Sequence, residues 1–246
     1  MENNATTLPR TNRQTERRFF MLLASLIALF VFAGFARTYY LRPLFMPAPL
    51  TPLVHLHGLV FTLWVILLIV QTQLVAAGRA DIHRRLGVAG IVLAALMEVF
   101  GILVPLAAAK DGDHLKGMTV ASTMAIQLMN TVTFPILFGA AIYFRRQPAM
   151  HKRLMLLASL AIMSPAYVRI LRQCCTAIPV RPVFIAYLLV DLTVLALFVY
   201  DWRTQGRIHR ATLWGGLLVL IAHPLRFWLG TTSMWESIAN WLVTLI

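Results

Sequence analysis

The chain has 246 residues, of which 59% are hydrophobic and only 13% charged, and its formal net charge is +13. A soluble domain carries roughly a quarter charged residues, so this composition excludes a soluble globular protein and indicates a polytopic membrane protein. The surplus of Lys and Arg does not indicate nucleic-acid binding, because most of it lies in short segments between apolar runs, where topology and lipid phosphates account for it.

The first residues, Met1–Glu16, are polar and read as a disordered tail; with Arg17 and Arg18 they form a cytoplasmic segment, residues 1–18. Its arginines look like the start of a signal peptide, but the apolar run behind them is long and no small-x-small site closes it. Residues 19–231 hold seven apolar runs of about 20 residues, the thickness of a bilayer in helix. They are Phe19–Arg37, Leu53–Ala77, Leu86–Ala109, Val120–Phe144, Leu154–Leu171, Val183–Tyr200 and Thr212–Leu229. Residues 232–246 are too short to span and read as an interfacial helix, with Trp235 and Trp241 at headgroup depth. The expected fold is therefore all-α: an integral membrane bundle of seven transmembrane helices without a soluble domain.

Basic residues set the orientation. Arg10, Arg13, Arg17 and Arg18, then Arg79, Arg84 and Arg85, then Arg145, Arg146, Lys152 and Arg153, then Arg203, Arg207 and Arg210 all fall on one side. That side is cytoplasmic by the positive-inside rule, so the N-terminus is expected in and the C-terminus out, in a bacterial inner membrane. Anionic lipid headgroups are the expected partners of these loops. A weak repeat accompanies the pattern. Met21–Leu26 and Met155–Leu160 both read MLLASL, and Ile-His-Arg recurs at 82–84 and 208–210. Parallel halves and chance similarity of Leu- and Ala-rich helices are both open readings.

Three cytoplasmic helix starts carry His beside cations: His83, His151 and His209. A cation at a helix N-terminus opposes the macrodipole, so something else must favour it. One reading is anchoring, with Arg and Lys reaching lipid phosphates. The other is an inner cofactor or anion site lined by these histidines.

The stretch from Phe35 to Gly87 contains FARTYYLRPLF, then HLHG, Trp64, Gln71 and HRRLG. In these elements it resembles an uncharacterised family of bacterial multi-span membrane proteins. The resemblance covers the first three spans and implies a membrane location.

The opposite half of the bundle gathers prolines and ionisable residues. His55 and His57 open the second span on nearly opposite faces. Pro165 shares a face with Arg169 and Arg172, and Pro105 is expected to kink or end the third span. His223 and Arg226 are i and i+3 on the seventh span, hence neighbours on one face, and Pro224 frees a backbone carbonyl one turn earlier. By helix rise Glu98, Asp191 and His223 lie roughly 15–18 Å from the cytoplasmic edge, with Arg169 and Arg226 slightly further out. Ionisable groups at that depth face the interior and pair or serve a function. Glu98, Asp191, Arg169 and Arg226 are therefore read as a structural ion-pair network, or alternatively as the lining of a polar pocket that opens outward.

Several chemistries can be weighed on residue type. No Lys lies in a span, which excludes a retinal Schiff base. A zinc hydrolase has weak support: His55, His57 and His223 supply nitrogens, but no His-Glu-x-x-His element exists. Cys174 and Cys175 are adjacent and read as small apolar residues before a redox pair. Haem b fits better. His209 and His223 are 14 apart on one helix face, about 21 Å along the axis, a layout similar to two-haem transmembrane cytochromes. An outer haem would take His57 and His223, with Arg226 and Arg169 toward its propionates. An inner haem would take two of His83, His151 and His209. Against it, Gln71 occupies the matching position on the second span. The expected role is haem- or quinone-linked electron transfer, making the protein a membrane oxidoreductase if it is an enzyme. The alternative is a transporter, sensor or assembly factor that holds an anionic ligand at Arg169, Asp191 and Arg226.

Overall fold

The computed structural model describes residues 10–46, 48–174 and 181–245, and every regular element among them is a helix. Among the described residues six helices are long and apolar enough to cross a membrane, or seven if a bent pair of helices counts as one span. The protein is thus a multi-pass all-α membrane bundle. Large apolar side chains such as Leu22, Leu29, Leu59, Val92, Leu188 and Trp228 remain exposed on its flanks. In lipid that is the stable arrangement, because a helix satisfies its own backbone polar groups.

The first span is α1 (Arg10–Phe35), continued by a π-helical turn (Ala36–Tyr40) into the short α2 (Arg42–Phe45). Helix therefore begins within the polar segment expected to be disordered; residues 1–9 lie outside the described residues. Next come α3 (Pro52–Ala76) and α4 (Ala80–Lys110). Thr51 caps α3 by accepting from the Val54 N–H, and Pro52 suits the first helical position, where an N–H has no partner anyway. Pro105 neither ends nor interrupts α4, which runs on to Lys110. The fourth span is α5 (Val120–Leu128) followed directly by α6 (Asn130–Tyr143).

The fifth apolar run is not one helix. It is α7 (Pro148–Ala161) and α8 (Ser164–Cys174), bent by 45° at Ile162–Met163. Pro165 explains the break: it has no N–H, its ring would meet the Ala161 carbonyl, and it disfavours helical backbone at Ser164. The sixth and seventh spans are α9 (Pro182–Gln205) and α10 (Arg210–Leu229), and α11 (Ser233–Thr244) follows. Gly206 closes α9 at φ +67°, a left-handed conformation that glycine adopts without strain.

Helix α7 is the centre of the bundle, with Leu157, Ala158 and Leu160 fully buried. It packs against α1, α6, α9 and α10. Helix α8 then lies between α1 and α9. At Gly34 the backbone of α1 presses on α8, where a Cβ would sit 2.5 Å from the Ala166 carbonyl oxygen. That close approach brings the π-helical turn and α8 together around the site below. The interfacial candidate α11 docks on α4 and α5, where the Trp235 indole donates to the Ala121 carbonyl at 2.7 Å.

Candidate functional site

A partly open cavity of about 550 Å³ lies at the end of the bundle that carries the Asp111–Met118 loop. The π-helical turn, that loop, α5, α8 and the start of α9 enclose it. Three arginines line it, Arg37, Arg169 and Arg172, against one carboxylate, Asp113. Among the described residues no carboxylate lies within ion-pair distance of any of the three. The Arg169 guanidinium donates to the Pro165 carbonyl at 3.1 Å and lies 4.3 Å above the Phe35 ring. Its remaining donors have no protein partner among the described residues. The bend before α8 is what aims this turn of helix at the cavity, so Pro165 both breaks the span and supplies the carbonyl that steadies Arg169.

Behind one wall sits Arg226, fully buried. Its Nε donates to the Ala222 carbonyl at 3.1 Å; the two hydrogens of Nη1 go to the Tyr187 hydroxyl at 2.6 Å and Asn130 Oδ1 at 2.9 Å, with the Ile126 carbonyl at 3.3 Å a weaker, shared third acceptor. Nη2 is buried without a partner. Ile126, Asn130 and Tyr187 all line the cavity. Neither Asn130 nor Tyr187 stands out in the sequence, since one polar residue and one aromatic are ordinary in apolar helices.

Among the described residues no two members of the expected network of Glu98, Asp191, Arg169 and Arg226 stand within ion-pair distance, although Asp191 interacts with the Arg226 charge at longer range. Asp191 binds His223 instead, Oδ1 to Nδ1 at 2.6 Å. Glu98 is on α4, which packs on α3, α5, α6 and α11 but has no substantial contact with α8, α9 or α10. Shared depth is one coordinate; the angular position of each helix in the bundle decides which charges meet.

The expected His57–His223 pair is not brought together either. His57 stacks on Phe61, ring centroids 4.3 Å apart, with Nδ1 buried and unpartnered. It sits on α3, which packs on α1 and α4, whereas α10 packs on α5, α6, α7 and α9. His55 is exposed while His57 is half-buried, as their opposite faces require.

At the other end of the bundle two of the three candidate histidines meet. The His83 and His151 rings lie 6.1 Å apart and nearly perpendicular. His151 Nδ1 bonds the Ala141 carbonyl at 2.8 Å. A carbonyl only accepts, so Nδ1 carries a proton. Gln71 donates to the His83 carbonyl at 3.2 Å, and Gln71 Oε1 and His83 Nδ1 are buried without partners. His209 has a different task. Its Nδ1 accepts from the Ala211 N–H at 3.1 Å and caps α10. Burial, reinforced by the Arg153 guanidinium, holds its imidazole below the ordinary value, in keeping with an unprotonated acceptor.

A fully buried ion pair was not anticipated. Arg153 and Asp201 are both fully buried, with Nη2 at 2.5 Å and Nε at 3.1 Å from Oδ1. Asp201 also accepts from the Thr212 hydroxyl at 2.5 Å, the His209 N–H at 3.3 Å and Gln205 at 3.2 Å. Glu16 adds a contact to Lys152 and one to Arg153 at 3.6 Å. This cluster ties the starts of α1, α7 and α10 to the end of α9. A signal existed: Asp201 is the single acidic residue between Asp191 and Glu236, set among arginines. Of the adjacent cysteines, Cys174 is exposed and free, and Cys175 lies outside the described residues.

Comparison with protein-family models, with curated proteins and with solved structures gave no match.

Proposed function

We propose that this multi-pass membrane protein binds a small anionic ligand in the cavity beside Arg169, as a transporter, sensor or assembly factor. The observation that carries the reading is the charge balance of that cavity. Among the described residues Arg169 presents donors that no protein group uses, Arg37 and Arg172 stand beside it, and Asp113 is the one lining acid. A guanidinium away from bulk water favours a counter-charge, and carboxylate and phosphate match its fork. With the basic loops cytoplasmic, the cavity faces outward from a bacterial inner membrane. The test is ligand-dependent thermal stabilisation of the detergent-purified protein. Citrate or inorganic phosphate should raise the melting temperature above that in sodium chloride of equal ionic strength, and Arg169→Gln should remove the difference. A melting temperature that none of the three salts raises above that in low-salt buffer would count against the reading.

A second reading, haem-linked electron transfer, is favoured by one observation at the other end. Two imidazoles on one iron have ring centres about 6 Å apart, given metal–nitrogen bonds of about 2 Å. The His83–His151 separation of 6.1 Å matches this, and His151 is oriented through a backbone carbonyl as metal-binding histidines commonly are. Purified protein with a Soret band that disappears in His83→Ala and in His151→Ala would establish it; colourless protein from haem-replete cells would dismiss it.

A further inference from the structure

Arg226 is a fully buried cation that no carboxylate pairs with among the described residues. Such a group is costly unless its surroundings use it. Its chemistry also forces the orientation of two neighbours. A guanidinium only donates. The Asn130 atom 2.9 Å from Nη1 is therefore the amide oxygen, and the amide NH2 points elsewhere. Asn130 lines the cavity, and its NH2 finds no protein acceptor among the described residues. Tyr187 likewise receives a hydrogen bond from Nη1 at 2.6 Å, so the proton on its hydroxyl is directed away from the guanidinium. Tyr187 lines the same cavity and donates to no residue described.

We propose that Arg226 is a positioning residue that turns the Asn130 amide and the Tyr187 hydroxyl into paired donors for an oxyanion, a carboxylate or phosphoryl group, of the ligand. The inference rests on the anion reading above and sharpens it from any anion to one with at least two acceptor oxygens. Both wall oxygens bond one nitrogen, at 2.6 and 2.9 Å, so the two donors leave the wall from neighbouring points. That suits two oxygens of one group. A halide is a single sphere and gains less from two directed donors. Accepting from a cation also polarises the Tyr187 hydroxyl and makes it a stronger donor. Arg169 supplies the charge, and the Asn130–Tyr187 pair supplies the shape.

The experiment titrates full-length protein in detergent with acetate, inorganic phosphate and bromide. Wild type should bind acetate or phosphate more tightly than bromide. Tyr187→Phe keeps the ring but removes one donor to the ligand and one acceptor of Arg226; it should weaken oxyanion binding roughly tenfold, the range of a hydrogen bond to a charged group, and leave bromide within about twofold. Arg226→Lys replaces a fixed planar fork by a flexible ammonium and should lose the same preference. If that variant does not fold, Asn130→Asp carries the test. It pairs with Arg226, so the ligand-free protein should melt higher, yet it sets an acceptor where the amide donor stood and should not bind oxyanions. Wild type without preference for oxyanion over bromide overturns the proposal, as does a Tyr187→Phe or Asn130→Asp protein that binds phosphate like wild type. In those cases binding that Arg169→Gln abolishes still leaves the anion reading standing. No binding of any of the three probes overturns both.

Discussion

His223 Nδ1 and Asp191 Oδ1 stand 2.6 Å apart across the interface of α9 and α10. This contact redistributes the polar groups of the whole region. Asp191 is used by the imidazole three residues from Arg226, so the guanidinium turns to neutral acceptors, the Tyr187 hydroxyl and the Asn130 amide. Tyr187 touches both partners: its ring centre is 4.5 Å from that of His223 and 4.7 Å from the Arg226 carbon. The wall of the cavity is therefore held by a row of side chains that begins at an acid not itself in the cavity.

The first prediction concerns that contact. His223 Nε2 already has no partner, so Asp191→Ala leaves both ring nitrogens unsatisfied. The expected cost is about 1–3 kcal/mol, while Asp191→Asn, which keeps an acceptor oxygen, should cost less. Thermal melts of the purified variants decide it. An Asp191→Ala protein as stable as wild type would show that the contact contributes nothing.

The second concerns Arg153 and Asp201. Both are fully buried; without Arg153 the Asp201 charge loses its ion-pair partner, and without Asp201 the guanidinium keeps only the longer contact to Glu16 at 3.6 Å. Asp201→Leu or Arg153→Met should each destabilise by about 3–5 kcal/mol, and the double variant by less than either. The double-mutant cycle should show strong coupling. Additive losses would mean that the two act independently.

The third follows from His209. Burial and then Arg153 lower its folded-state value below the ordinary one of about 6.5. The unfolded chain then binds a proton more readily than the folded one. The contribution of the neutral cap is fully present above about pH 6.5 and is lost as pH falls toward the lowered folded-state value. His209→Asn caps the helix without titrating, so it should flatten the acid side of the stability profile. An unchanged profile below about pH 6.5 would assign that loss to other groups.

The fourth is topological. If the basic loops are cytoplasmic, reporter fusions at Asp111 and at the C-terminus should both report the outer side. A C-terminal reporter active in the cytoplasm would place the arginine cavity on the inner face.

The amino-acid sequence by itself determined the axial order of this protein. Runs of apolar residues specify seven crossings because a bilayer demands about 20 residues of helix, and Pro165 marks where the fifth is broken. The ionisable residues inside spans were also legible as facing the interior, as the buried His223 and Arg226 do. Hydropathy, however, reads position along one axis. It carries no information on how each helix is rotated or which helices adjoin. Only the tertiary structure decided that Asp191 meets His223 rather than Arg226, that Glu98 is on the wrong helix to join them, and that His83 meets His151 while His209 caps a helix. It also decided that Arg153, which reads as one more basic loop residue, is buried against Asp201 because α7 is the central helix. Tyr187 and Asn130 carry no sequence signal, because their chemistry here is created by a guanidinium that a different helix delivers.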